Sequence, residues 1–136
     1  MHTDIHKAGG ILIKDRRFLV TRNRGKDIFY APGGKLEKSE SPEEALIREL
    51  KEELSITVEE KDLEPFGTFT APSAGDESHT IEMQVFRVNA WQGTITPTEE
   101  IKELAWISST PPPTMKLGSI FGHKVLPRLK QQGLIE

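Results

Sequence analysis

Apolar residues gather in short runs between polar stretches, and their period changes partway along the chain. Gly10-Ile11-Leu12-Ile13, Phe18-Leu19-Val20 and Ile28-Phe29-Tyr30 have the length of strands. Lys14-Asp15-Arg16-Arg17 separates the first two as a hairpin turn would. The third stops at Ala31-Pro32-Gly33-Gly34, where Pro and two Gly demand a special backbone path. The period then becomes helical: Ala45, Leu46, Leu50 and Leu54, with Ile47, form one stripe. Ser41 can cap this helix, Pro42 suits its first position and Glu44 completes a Ser-x-x-Glu capping box, so a helix is predicted over Pro42 to Leu54. Strand-like segments resume at Ile56-Thr57-Val58, Phe66 to Phe69, Ile81 to Val88 and Leu104 to Ile107. The polar tract Thr70 to Thr80 reads as a loop. Pro111-Pro112-Pro113 reads as an extended spacer into a terminal helix from about Ser119 to Gln132, with Pro127 inside it. The predicted class is α/β, a mixed sheet flanked by helices.

A chain of 136 residues suits one domain with a continuous core, here residues 1–136. Its net charge of −3 lacks the electrostatic footprint for wrapping nucleic acid, although nucleotide phosphates can still be met through metal ions. The absence of Cys removes disulfides, thiolate catalysis and Cys-ligated zinc, and suits a reducing compartment. A polar N-terminus and the lack of any long apolar run predict no signal peptide and no membrane span. The expectation is a cytoplasmic protein.

Charge on the predicted helix is where chemistry enters. Glu49, Glu52 and Glu53 fall at i, i+3 and i+4 and share one face, where like charges repel by roughly 0.2–0.5 kcal/mol per pair. A hard divalent ion offsets such a cluster, because Mg²⁺ takes a few carboxylates plus water and phosphate oxygens. A solvated acidic face balanced by Arg48 and Lys51 explains the same pattern. The Gly33-Gly34 connection ahead of the helix lets a phosphate approach the backbone closely. Glu43 and Glu44 in the first turn argue for phosphate held through metal rather than by helix amides.

Together these residues read Gly34, five residues, Glu40, seven residues, then Arg48-Glu49-Leu50-Lys51-Glu52-Glu53-Leu54-Ser55-Ile56. The segment resembles the Nudix box, Gly-x5-Glu-x7-Arg-Glu-aliphatic-x-Glu-Glu-x-Gly-aliphatic, at every fixed position except Ser55, where the family has Gly. Strand order and length also look like a whole Nudix domain, which implies an α/β/α sandwich. A Gly at that position serves a left-handed helix end; Ser enters the same region at about 1 kcal/mol and carries no proposed chemistry.

The resemblance implies metal-dependent hydrolysis of a nucleoside diphosphate linked to another group, with Mg²⁺ or Mn²⁺ stabilising the developing charge. It implies Glu52 and Glu53 as the main metal ligands, the Gly33 carbonyl as a third, and Glu49 as a ligand or the water-activating base. Arg48 would orient a catalytic carboxylate, and Glu40 would play a supporting structural or outer metal role. Members of the family often draw one more carboxylate from outside the box. Glu99, Glu100 and Glu103 are candidates, and Glu100, six residues before Trp106, is favoured. Phe29 and Tyr30, beside the Gly-Gly connection, are placed to stack on a base, and Gly34 to meet the substrate. Trp91 and Trp106 are expected in the core, and His2, His6, His79 and His123 carry no assigned chemistry.

Three functions compete. A compact enzyme of the MutT type would split a nucleoside triphosphate into monophosphate and pyrophosphate. An ADP-ribose or nucleotide-sugar pyrophosphatase is suggested by Pro72, 16 residues past Ile56, although a strand-ending turn explains that Pro as well. A non-catalytic Nudix-fold binding module would lack metal-ligand positions. The expected partner is a small-molecule nucleotide, the expected assembly a monomer or homodimer.

Overall fold

The structure, a computed structural model, describes residues 5–73 and 76–136, so His2 and the Ala74-Gly75 part of the expected loop lie outside the described residues. In chain order the main elements are β1 (Ile5–Ile11), β2 (Ile13–Lys14), β3 (Arg17–Asn23), β4 (Ile28–Phe29), β5 (Gly33–Lys35), α1 (Pro42–Leu54), β6 (Leu63–Ser73), β7 (Asp76–Val88), β8 (Ile101–Ile107), β9 (Lys116–Leu117) and α2 (Leu126–Gln131). A four-stranded sheet has the order β5-β1-β7-β6; it is mixed, since β1 runs parallel to β7 and antiparallel to β5. The antiparallel trio β2-β3-β8 and the parallel pair β4-β9 complete the strands.

Period-two alternation divides the interior into two cores. Along β3, Leu19 joins Leu46, Leu50 and Leu54 of α1, while Phe18 and Val20 join Phe121, Val125 and Leu129 of the terminal helical segment. Along β7, Phe86 and Val88 go to the first core, Met83 and Val85 to the second. Helix, sheet and helix therefore stack as an α/β/α sandwich. Among the described residues no helix is long and apolar enough to cross a membrane.

α1 has the predicted bounds because its signals are local. Ser41 Oγ accepts the Glu44 N–H, and the Glu44 carboxylate accepts the Ser41 N–H, closing the capping box. At the other end Ser55 does enter the left-handed region (φ 61°, ψ 28°), donates its N–H to the Lys51 carbonyl and its hydroxyl to the Thr96 carbonyl.

Four sequence-based expectations need correction. Where it is described, the tract expected as a loop is strand: β6 continues to Ser73, β7 starts at Asp76, and the two pair through Thr70↔Glu82, Ala71↔Ile81 and Pro72↔Thr80. β6 is an edge strand, where a Pro sacrifices no necessary ladder bond. Ile56-Thr57-Val58 is not a strand; only Thr57 forms a bridge, to Gln92, while Ile56 and Val58 bury their side chains in the α1 core. Gly33 and Gly34 do not end a strand but begin β5, which pairs with β1. The Pro tract turns at Pro112–Met115 and leads first into β9.

The terminal helical backbone begins at Ser119, as expected, but widens to a π-turn over Phe121–Val125 before α2, with the Leu126 N–H donating to the Phe121 carbonyl. Pro127 follows at once. It lacks an N–H and crowds the preceding turn, and the wider winding relieves that crowding.

Ser55→Gly should stabilise the protein by about 1 kcal/mol, since Gly occupies the left-handed region without the Cβ penalty. Urea unfolding of the two proteins checks this. A destabilised variant would mean that the hydroxyl contact to Thr96 outweighs the strain.

Candidate active site

Arg48 organises the acidic face of α1. Its Nε and Nη2 donate to the two carboxylate oxygens of Glu40 (2.8 and 3.0 Å), a two-point contact that fixes both planes. Nη2 also donates to the Lys35 carbonyl (3.1 Å), and Nη1 reaches Glu49 (2.7 Å) and Glu52 (3.4 Å). Glu37 adds a further ion pair at 3.3 Å. Glu40 is held below the usual carboxylate range, first by Arg48 and then by the Glu37 N–H. One guanidinium thus ties the segment after β5 to the helix and serves four carboxylates.

Glu53 lies outside that network. Its Oε1 accepts the Gly33 N–H at 3.0 Å. Burial, opposed by this hydrogen bond and reinforced by the charges of Glu49, Glu100 and Glu52, pushes the Glu53 carboxyl up to about 8. Gly33 is required beneath it, whereas a side chain at Gly34 would displace the Glu49 carboxylate. A Cβ on Gly34 would stand 2.6–2.9 Å from the Glu49 carboxylate, and Gly33 holds φ 147° with its absent Cβ 2.1 Å from the Ala8 carbonyl oxygen.

Glu100 reaches this neighbourhood because residues 96–98 finish α1. Thr96 and Thr98 donate their N–H groups to the Leu54 and Glu53 carbonyls (2.8 and 3.0 Å), satisfying helix-end acceptors. Arg24 accepts responsibility for the next step, its N–H donating to the Glu100 carbonyl and its Nε to that of Glu99. Glu103 is drawn away to Arg22 at 3.1 Å. Among the described residues no three acidic or His side chains are gathered into a metal cage. The donor set nevertheless fits a hard cation: a buried carboxylate that resists ionisation, with three more acidic groups raising its energy, is stabilised by a divalent positive charge.

On the opposite face of the four-stranded sheet lies a cleft of about 640 Å³, lined by Lys7, Lys35, Tyr30, Met83, Phe121 and neighbours, Pro72 among them. Tyr30 is 40% exposed there. Phe29 is 6% exposed, sits in the core with Arg22 over its ring, and does not line the cleft. Trp91 and Trp106 pack against the α1 core, as expected. His6 lies 3.6 Å from Glu82, His79 is on β7, and His123 is exposed in the π-turn. Sequence reasoning missed Lys7, Lys35 and the residues of the π-turn. In the sequence Lys7 stands in the polar stretch ahead of the first apolar run, and no local signal marks it.

The profile of the NUDIX domain family matches residues 5–127. The chain belongs to the Nudix hydrolase family. Membership implies hydrolase activity. An ADP-ribose pyrophosphatase of Methanocaldococcus jannaschii is 32% identical over 97 residues, 69% of this chain and 56% of that protein, so the match spans little more than half of that relative. An 8-oxo-dGTP diphosphatase of Proteus vulgaris is 40% identical over 97 residues, 68% of this chain and 82% of its own length. The crystal structure of the MutT protein from Methanosarcina mazei Go1 superposes with a TM-score of 0.76 at 20% identity, covering 95% of this chain and 94% of that one, and shows the shared Nudix fold.

The raised Glu53 has a pH signature. At acid pH the carboxyl is neutral in both folded and unfolded chains and costs nothing. As pH rises from its ordinary 4.5 towards 8 the unfolded chain ionises first and folding loses stability, fully so above 8. In chelator, Glu53→Gln should therefore unfold at higher urea than wild type, with the gap largest at about pH 9 and shrinking towards about pH 5. A gap independent of pH would assign the effect to something other than this carboxyl.

Proposed function

We propose that residues 1–136 act as a single Nudix domain that hydrolyses a phosphoanhydride bond in a nucleoside diphosphate linked to another group, with Mg²⁺ or Mn²⁺ as cofactor. The preferred substrate in this reading is a nucleoside triphosphate, split into the monophosphate and pyrophosphate. The observation that carries it is the buried Glu53 carboxylate, seated on Gly33 and raised in energy by Glu49, Glu52 and Glu100. Glu52, Glu53, Glu49, the Gly33 carbonyl and Glu100 would hold the metal. When bound, the ion supplies positive charge to the phosphoanhydride oxygens.

The remaining work falls to the chain. A water oxygen bonds to one phosphorus, the bridging P–O bond breaks, and the water's proton passes to Glu49 or Glu52. Arg48 keeps Glu49 oriented through its 2.7 Å contact, and Glu40 keeps Arg48 oriented in turn. Tyr30 offers an exposed ring at the cleft for a base, and Gly34, which lies against the Glu49 carboxylate, is the backbone that would meet the substrate beside the metal ligands. Chain coverage of the 8-oxo-dGTP diphosphatase relative supports the triphosphate reading. The second reading, ADP-ribose or a nucleotide sugar, is favoured by Pro72 lining the cleft and by the archaeal relative. In both readings the protein acts on a small molecule in the cytoplasm, without nucleic acid or membrane, as a monomer or homodimer.

A hydrolysis panel in Mg²⁺, covering triphosphates, ADP-ribose and nucleotide sugars, tests this with wild type, Glu52→Gln and Glu53→Gln. Pyrophosphate release from a triphosphate is expected, falling about 10²-fold or more in either variant. AMP and ribose 5-phosphate from ADP-ribose would move the assignment to the second reading. Near-normal turnover in Glu53→Gln would remove that residue from the metal site.

A further inference from the structure

Lys7 and Lys35 stand directly opposite each other across the β1–β5 pair, so both side chains leave the sheet on one face, into the cleft. Opposed residues in such a pair have Cβ atoms roughly 4.5–5.5 Å apart, and like charges there destabilise the pairing. Lys35 is exposed and can turn into water. Lys7 has less freedom: it is half-buried, in register with Met83 on its other side, and bordered by Ile81, Ile120 and Phe121. Among the described residues no acidic side chain lines the cleft and neither lysine forms an ion pair. The nearby carboxylates Glu37, Glu40 and Glu49 are already engaged by Arg48.

Two uncompensated cations facing an apolar cleft suit a doubly charged oxyanion with several acceptor oxygens. We propose that Lys7 and Lys35 form a phosphate clamp that holds a phosphate monoester on the nucleoside end of the ligand, separately from the carboxylates of α1. The proposal rests on the reading of the cleft as a nucleotide site. Lys35 is two residues beyond Gly33, on the order of 6–7 Å along the strand, so a phosphate on the lysines is a near neighbour of one at Glu53. The 5′-phosphate attached to a nucleoside in the cleft meets that description; a phosphate on the sugar is the other source of the same chemistry. The clamp recognises the monophosphate product, whose 5′-phosphate is a free monoester, and it does so without metal.

Calorimetric titration in chelator tests this, with the four common nucleosides, their 5′-monophosphates and their 3′-monophosphates as probes. Wild type should bind a 5′-monophosphate about tenfold or more tightly than its own nucleoside, an increment of the size given by one charge-assisted contact and one that weakens with salt. Lys7→Met keeps the length and the apolar contacts of the side chain. It should erase the increment, leave nucleoside affinity in place, and melt at or above the wild-type temperature. Lys35→Met should reduce the increment as well. An increment confined to 3′-monophosphates keeps the clamp and assigns it to a sugar phosphate. Equal affinity for nucleoside and nucleotide in wild type, an unchanged increment in Lys7→Met, or no binding by any probe overturns it. Turnover does not enter this measurement: failure of the hydrolase reading appears as an intact increment without Mg²⁺-dependent turnover, failure of the clamp as normal turnover without an increment.

Discussion

The site depends on a shortage of positive charge. Arg48 is the cation that answers the acidic face of α1, and its fixed fork is shared among Glu37, Glu40, Glu49 and Glu52 while it also takes the Lys35 carbonyl. That arrangement has two effects. It pins the segment leaving β5 to the helix, so the Gly33-Gly34 backbone has a defined height above the carboxylates. It also leaves Glu53 without a cationic partner among the described residues, so this buried carboxyl is the group that resists ionisation. A lysine could not replace Arg48, because a single ammonium cannot meet Glu40 at two points and span to Glu49 from the same rigid plane.

What could be read from the sequence were features whose causes lie within a few residues of each other. The bounds of α1 follow from Ser41, Pro42 and Glu44 at one end and from the Leu stripe along it, all local. The left-handed turn at Ser55 and the grouping of Glu49, Glu52 and Glu53 are equally local. The errors lie where distant partners decide. Thr70 to Ser73 looks like part of a loop until β7 supplies its hydrogen bonds, and its Pro is harmless only because β6 is an edge. Phe29 and Tyr30 are indistinguishable as candidates in the sequence; which one faces the cleft is set by the pairing of β4 with β9 and the bridge from Thr21 to Tyr30. Glu100 is near Glu53 because Thr96 and Thr98 complete the helix end, a contact across more than forty residues of chain.

Lys7 illustrates the same limit. In the sequence it is one polar residue before an apolar run. Only the register of β1 against β5 shows that it faces a second lysine, and only the packing of the π-turn shows how little room it has. Pro127 in the terminal helix has a consequence there too, since the wide winding before it sets the cleft wall formed by Ile120 and Phe121.

β5 is three residues long, yet it belongs to both sides of the sandwich. Gly34 looks towards Glu49 and its neighbour Lys35 towards the cleft, so acid chemistry and ligand recognition are interleaved on alternate residues of one edge strand. The strand works as a ruler with two scales. Substitutions at Lys35 can retune what the cleft accepts while Gly34 stays fixed beneath the helix. A single inserted residue would exchange the scales, turning the lysine onto the carboxylates and a glycine into the cleft. Diversification on this scaffold is therefore open to replacement along β5 and closed to changes in its length.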